Sequence, residues 1–203
     1  MSTEKIDVDS ALDVSRETSD RLKAFEALLR KWNPKINLVS KASIDHLWTR
    51  HMMDSLQIVP HAGHPKTWCD LGSGGGFPGM VAAIALPHTH VHLVESDQRK
   101  AAFLRTVARD LDLNCEVHAK RIMDVPPLSA DVVSARALTH LTDLLSFAKY
   151  HLSSAGEALF LKGETWKTEV AEAQQHWRFD FDAIESKTQS KAVILRIKEL
   201  SRV

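Results

Sequence analysis

The chemistry-bearing residues of this chain gather around one short loop. Thr67–Leu71 is an apolar pentapeptide that runs straight into Gly72-Ser73-Gly74-Gly75-Gly76-Phe77-Pro78-Gly79, which has five glycines in eight residues. Glycine tolerates positive φ and lets a ligand approach the backbone closely. A plain turn would not need so many, since each costs conformational entropy on folding. Pro78 suits a helix start, where a missing N–H is harmless. A dinucleotide fingerprint, G-x-G-x-x-G, would require a third glycine where Phe77 stands, and the Gly-Lys-Ser/Thr of a phosphate loop is absent. Asp70 closes the apolar stretch. Glu95 closes the next one, where an acid can accept hydrogen bonds from two ribose hydroxyls of a nucleoside ligand. Arg136 and Lys162 follow two later apolar stretches. Both offer only donors, suited to carbonyl, carboxylate or phosphate oxygens, and Ser134 is expected beside them.

The order of elements explains why these residues should meet. From residue 65 onward, short apolar runs at 67–71, 90–95, 115–119, 131–135 and 157–162 alternate with helical segments at 78–86, 98–111, 139–152 and 166–176. That alternation signals βαβ units and a parallel sheet. The loop, Glu95, Arg136 and Lys162 then all fall at carboxyl ends of strands, the usual ligand crevice of an open α/β sheet. Two last strands, 179–184 and 192–197, are joined by so short a polar segment (Ser186, Thr188, Gln189, Ser190) that an antiparallel hairpin is expected. Upstream, Leu22, Phe25, Leu29 and Trp32 recur at helical spacing, which predicts a helix over 15–32 that Pro34 ends. A second helix is expected over 43–59. Residues 1–13 are acidic and weakly patterned and are expected to form a frayed start. Domain boundaries follow: 1–64 as a helical extension packed on a core of 65–203.

Composition narrows the functional classes. The 203 residues are 44% hydrophobic with a formal net charge of +0, so no global basic field advertises nucleic acid. Charge is uneven, however. Residues 21–50 carry seven bases (Arg21, Lys23, Arg30, Lys31, Lys35, Lys41, Arg50) against Glu26 and Asp45. Cys69 and Cys115 are too few for a disulfide framework, and a reducing, cytoplasmic setting is expected with no membrane role. Among 11 histidines, His88, His90 and His92 would share a strand face, but no Cys, Asp or Glu recurs beside them at ligand spacing, so no metal is expected. Trp32, Trp48 and Trp68 are expected as core anchors.

The Asp70-x-Gly72-x-Gly74 pattern resembles motif I of Rossmann-like methyltransferases. Longer stretches sharpen the likeness: Lys31-Trp32-Asn33, Ile36-Asn37-Leu38, Arg50-His51-x-x-Asp54-Ser55, the loop ending Phe77-Pro78-Gly79, Ser134-Ala135-Arg136-Ala137, and Lys162-Gly163. Over residues 20–200 they resemble RsmG, also called glucose-inhibited division protein B, the bacterial family of 16S ribosomal RNA guanine-N7 methyltransferases. The resemblance implies a Rossmann-like methyltransferase fold: a mostly parallel seven-stranded sheet with an antiparallel C-terminal hairpin, plus N-terminal helices. It implies S-adenosylmethionine as cofactor, held by Asp70, Gly72, Gly74, Gly76, Phe77, Glu95, Ile122, Met123 and Arg136. Arg136 and Lys162 become the catalytic candidates. At one place the chain departs from the family, which carries Arg-x-Glu where this sequence reads Arg121-Ile122-Met123-Asp124. The Met123 side chain cannot replace the carboxylate, which leaves backbone N–H groups and Asp124, one residue on.

The implied partner is 16S ribosomal RNA or the small ribosomal subunit, met by a monomer through phosphate contacts. Candidates for these contacts are Arg30, Lys31, Lys35, Lys41, Arg99, Lys100, Arg105, Lys120 and Arg121. Arg50, His51 and Asp54 share a helical surface and are expected either to dock the N-terminal helices over the cofactor or to grip RNA. The alternatives are the same fold acting on a small molecule or protein, and a non-catalytic module that binds the cofactor. A nicotinamide dehydrogenase is disfavoured by Phe77 and by the antiparallel tail.

Overall fold

A computed structural model describes residues 14–203, so the frayed start expected over 1–13 lies outside the described residues. Seven strands form one sheet in the order β3-β2-β1-β4-β5-β7-β6. They are β1 (Thr67–Leu71), β2 (His90–Val94), β3 (Cys115–His118), β4 (Ala130–Arg136), β5 (Leu152–Lys162), β6 (Trp177–Glu185) and β7 (Val193–Arg202). The first five are parallel, and β7 runs antiparallel to both β5 and β6. This is the Rossmann-like methyltransferase fold, with the antiparallel hairpin expected from the short 186–190 connection.

Helices cover both faces. On one face lie α1 (Arg16–Ile36), α4 (Gly79–Ala85) and α5 (Gln98–Asp110); on the other lie α6 (Leu141–His151) and α7 (Trp166–Ala173). Leu22, Phe25 and Leu29 of α1 pack with Met80, Phe103 and Leu104 against Trp68, Val91 and Leu93. Leu141, Leu145 and Val170 pack against Cys69, Leu71, Phe160 and Leu195. The N-terminal helix therefore shares an apolar core with the sheet, and the Phe25 and Phe77 rings lie 5.4 Å apart.

Three expectations change. Pro34 does not end α1: the helix continues to Ile36, and Pro34 sits in its last turn. The proline removes one rung of the ladder, the bond an N–H at 34 would make to the Arg30 carbonyl, without ending the helix. Termination comes from Asn37, in the left-handed region at φ 53°, whose N–H returns to the Asn33 carbonyl. Second, the single helix over 43–59 is broken into α2 (Lys41–Ile44), a π-helical turn at Trp48–Met52, α3 (Met53–Leu56) and a 3₁₀ turn at Val59–His61. Such widened turns often occur at functional sites, and this one carries Arg50 and His51. Third, β5 begins at Leu152 and β7 runs to Arg202, longer than their apolar cores suggested.

Candidate functional site

A cleft of about 1500 Å³ opens at the carboxyl ends of the parallel strands. Its walls bring together Gly72, Gly74, Phe77, Glu95, Ile122, Met123, Arg136 and Lys162. Thus most of the residues singled out in the sequence converge, although up to 90 positions separate them. Asp70, Gly76 and Ser134 do not reach the wall.

The loop adopts the conformations its glycines allow. Gly72 and Gly74 have φ values of 66° and 56°, a region costly for residues with a Cβ. Ser73 N–H donates to the Val94 carbonyl at 3.0 Å, tying the loop to β2. Glu95 is almost buried, at 8% exposure. Its Oε2 accepts from Gly74 N–H and its Oε1 from Asp97 N–H, each at 2.8 Å. The carboxylate is thereby fixed at the cleft wall, with further lone pairs on both oxygens. Asp97 in turn caps α5 by accepting from the Arg99 and Lys100 N–H groups.

Asp70 lies beneath the loop. It is wholly buried, and its Oδ1 accepts from Ser134 Oγ at 2.7 Å while Ser134 accepts from Trp68 Nε1 at 2.8 Å. Oδ2 has no hydrogen-bond partner and lies against the start of α4: a Cβ on Gly79 would come within 2.6 Å of it. Burial raises the Asp70 pKa to about 6, with the bonds from Ser134 and neighbouring groups opposing the shift. Ser134 is therefore a buried relay and not a lining residue. Gly76 faces inward as well, since a Cβ there would meet Met80 and Phe25.

Arg136 leaves β4 and enters a polar knot. Its guanidinium lies 5.0 Å from the Phe77 ring centroid and donates to His51 Nδ1 at 2.7 Å, the Arg50 carbonyl at 3.0 Å and Asp54 Oδ2 at 3.3 Å. A guanidinium offers only donors, so His51 Nδ1 must accept and the ring proton sits on Nε2. Burial, then Arg136 and Arg50, lower the His51 pKa to about 4, which keeps it neutral. Asp54 Oδ1 accepts from Gln57 and from Thr188 of the β6–β7 turn at 2.9 and 2.7 Å. Gln57 Nε2 also donates to Ser186 at 3.1 Å. The Arg50, His51 and Asp54 side of the π-helical turn is thus fastened to both β4 and the hairpin. Sequence reasoning missed Gln57, Ser186 and Thr188, because nothing local marks a contact across more than a hundred residues.

Lys162 also lines the cleft, but its ammonium is committed. It pairs with Glu169 Oε2 at 2.6 Å and donates to the Thr139 carbonyl at 3.3 Å. Elsewhere on the wall, Ile122–Asp124 form a 3₁₀ turn in which Met123 is 48% exposed. Lys100, Lys120 and Arg121 line the cleft nearby. Other basic candidates are engaged elsewhere: Arg30 with Glu26, Arg99 with Asp97, and Arg105 with the Val117 carbonyl.

Residues 18–195 match the family described as rRNA small subunit methyltransferase G. The chain belongs to the rRNA small subunit methyltransferase G family. A protein of that name from Ruegeria pomeroyi is 52% identical, with 96% of this chain and 97% of the relative covered. Another from Rhodospirillum centenum is 46% identical over 96% of this chain and 90% of its own length. Among solved structures, a methyltransferase from Geobacter sulfurreducens superposes with a TM-score of 0.60 at 14% identity, covering 94% of this chain and 92% of its own. The M. jannaschii protein TYW2, solved in complex with AdoMet, gives 0.60 at 15% identity over 84% and 80%. These structural likenesses establish the fold.

The donor set of the cleft fits S-adenosylmethionine. The glycine turn leaves open space at Gly74, where a Cβ would meet nothing closer than 3.7 Å. Glu95 presents an anchored carboxylate for a sugar diol, and the Ile122–Met123 edge offers apolar surface for a purine. Asp124 also lines the cleft, a polar group close to the acid the family carries one residue earlier.

Proposed function

We propose that this chain transfers a methyl group from S-adenosylmethionine to N7 of a guanine in small-subunit ribosomal RNA. The observation that carries the reading is the convergence of the glycine turn, the anchored Glu95 carboxylate and Arg136 on one cleft, in a chain of this family.

When bound, the cofactor supplies an electrophilic methyl carbon on a sulfonium. The residues of the chain bind and orient. Gly72 and Gly74 let the methionine and ribose portions lie against the backbone, Glu95 accepts from the ribose hydroxyls, and Ile122 and Met123 flank the adenine. Asp70 and Gly76 act from behind: Asp70 shapes the loop through Ser134 and the start of α4, and Gly76 permits the close approach of Phe25. Guanine N7 has a free lone pair, so no general base is required, and holding the reacting atoms about 3–3.5 Å apart supplies the catalysis. Arg136 offers its guanidinium to guanine O6 or a phosphate. Lys162 supports that wall through Glu169. Lys100, Lys120 and Arg121 at the rim contact phosphates, which position an RNA without reading its sequence.

The chain is read as a cytoplasmic monomer, with residues 1–64 as a helical extension on the 65–203 core. No helix of the described residues is long and apolar enough to cross a membrane. The test is incubation with methyl-labelled cofactor and small ribosomal subunits from a strain lacking the enzyme, followed by nucleoside analysis. Label in 7-methylguanosine is expected. Label confined to protein or to small molecules overturns the reading.

A further inference from the structure

The sheet carries a second polar cluster, away from the cleft loop, where β2 and β3 lie side by side. His90 and His92 alternate with Val91 and Leu93 along β2, so both imidazoles leave the same face while the apolar pair enters the core with α5. In the parallel register His92 lies opposite Glu116 and Val94 opposite His118. Glu116 and His118 therefore emerge beside the two imidazoles. The carboxylate that no local spacing supplied comes from the neighbouring strand.

The distances suit a single ion. One ligand atom each from His90, His92 and Glu116 lie within 4.8 Å of one another. His92 Nδ1 and His118 Nε2 are 3.0 Å apart, and His92 Nδ1 is 3.8 Å from Glu116 Oε2. Two nitrogens bound tetrahedrally to zinc at about 2.0–2.1 Å stand roughly 3.3–3.4 Å apart, between these two values. The supporting shell is present too. His90 Nδ1 lies 2.9 Å from Asn114 Oδ1. An amide oxygen only accepts, so Nδ1 carries the proton and the Nε2 lone pair is free, the arrangement by which metal-binding imidazoles are usually oriented.

We propose that His90, His92, Glu116 and His118 form a binding site for a divalent transition-metal ion, of which Zn²⁺ fits best. Three imidazoles and a carboxylate suit ions of borderline softness, whereas Mg²⁺ and Ca²⁺ require oxygen shells. His118, whose Nε2 lies 3.0 Å from His92 Nδ1, is the group placed to join the other three, and a shell closed by it makes the ion structural. The proton now shared between His92 and His118 moves to the far nitrogen of its own ring, and no net proton is released. The ion clamps edge strand β3 to β2. The chain leaving β3 continues into Lys120, Arg121 and the Ile122–Asp124 turn, so the clamp also steadies one wall of the cleft.

The test uses the full, untagged chain stripped with a chelator and titrated calorimetrically with ZnCl₂ and with MgCl₂, alongside thermal melting. One saturable Zn²⁺ per chain is expected, at micromolar affinity or tighter, with a raised Tm and no response to Mg²⁺. Glu116→Gln and His92→Gln should each weaken Zn²⁺ binding at least tenfold. Glu116 is 58% exposed at its side chain, so that variant folds even where His92→Gln does not. Absence of saturable binding, or unchanged affinity in Glu116→Gln, overturns the proposal.

Discussion

Arg136 Nη1 and Asp54 Oδ2 stand 3.3 Å apart although 82 residues separate them, and both side chains are largely withdrawn from solvent. Asp54 is the hinge of this arrangement, because its other oxygen holds Thr188. Removing one partner of a buried pair strands the other charge, at a cost of about 3–5 kcal/mol. Asp54→Ala should therefore lower stability by roughly that amount in denaturant unfolding. Thr188→Val removes one tie to the hairpin, leaves those through Gln57 to Ser186 and Lys187, and should cost about 1 kcal/mol. Equal losses in the two variants would show that Asp54 does not serve Arg136.

Arg136→Lys keeps the charge but loses the planar fork that reaches His51, Arg50 and Asp54 together. Methyl transfer should fall at least tenfold in kcat/KM while the fold persists by circular dichroism. Full activity in this variant would remove Arg136 from the substrate-facing wall.

The loop gives a sharper contrast at one position. Gly74→Ala adds a Cβ where there is space, so its cost is the left-handed backbone alone, about 1–2 kcal/mol. Gly74→Asp adds a carboxylate to the residue whose backbone N–H donates to Glu95, which sets two negative groups beside each other. Cofactor affinity by calorimetry should drop modestly in the first and vanish in the second. Unchanged affinity in Gly74→Asp contradicts the placement of the cofactor at this turn.

Asp70 should leave a pH signature. Its folded-state pKa, about 6, lies above the ordinary 3.8, so the folded state favours the protonated form. Its contribution to stability is therefore greatest below pH 3.8 and is lost as pH rises through about 6. Ser134, Ser73, Gly79 and Arg136 face the carboxyl group and temper the loss. Asn fits the same space, accepts from Ser134 and carries no charge. The stability of Asp70→Asn relative to the wild type should rise between pH 4 and pH 7, by up to about 3 kcal/mol. A flat difference across that range would show that the carboxyl group is not held in its protonated form.

How much of this was legible in the sequence depended on how local the cause was. The strand over Thr67–Leu71 was legible as a short apolar run, a local signal, and the helix expected from residue 98 does begin at Gln98, where the structure shows Asp97 capping it. The end of α1 was misjudged because Pro34 is the louder signal, while the stop is the left-handed turn at Asn37. The break in the helix over 43–59 falls where the Arg50 carbonyl accepts from Arg136, a partner 86 residues away that no local signal marks. The convergence of loop, Glu95 and Arg136 was readable because strand ends in a parallel sheet share one edge. The roles of Asp54 and Thr188, and the neighbourhood of His92 and Glu116, depended on strand register and hairpin packing, which no single segment encodes.

The most direct measurement is the equilibrium affinity for S-adenosylmethionine in the wild type and in Glu95→Ala. Loss of hydrogen bonds to a charged acceptor is worth about 1.5–3 kcal/mol, a weakening of roughly 10- to 150-fold. Binding that weakens within that range in Glu95→Ala, with the fold intact, is the expected result. Equal affinity in the two proteins would mean that the cofactor's ribose lies elsewhere, and the cleft would lose its assignment.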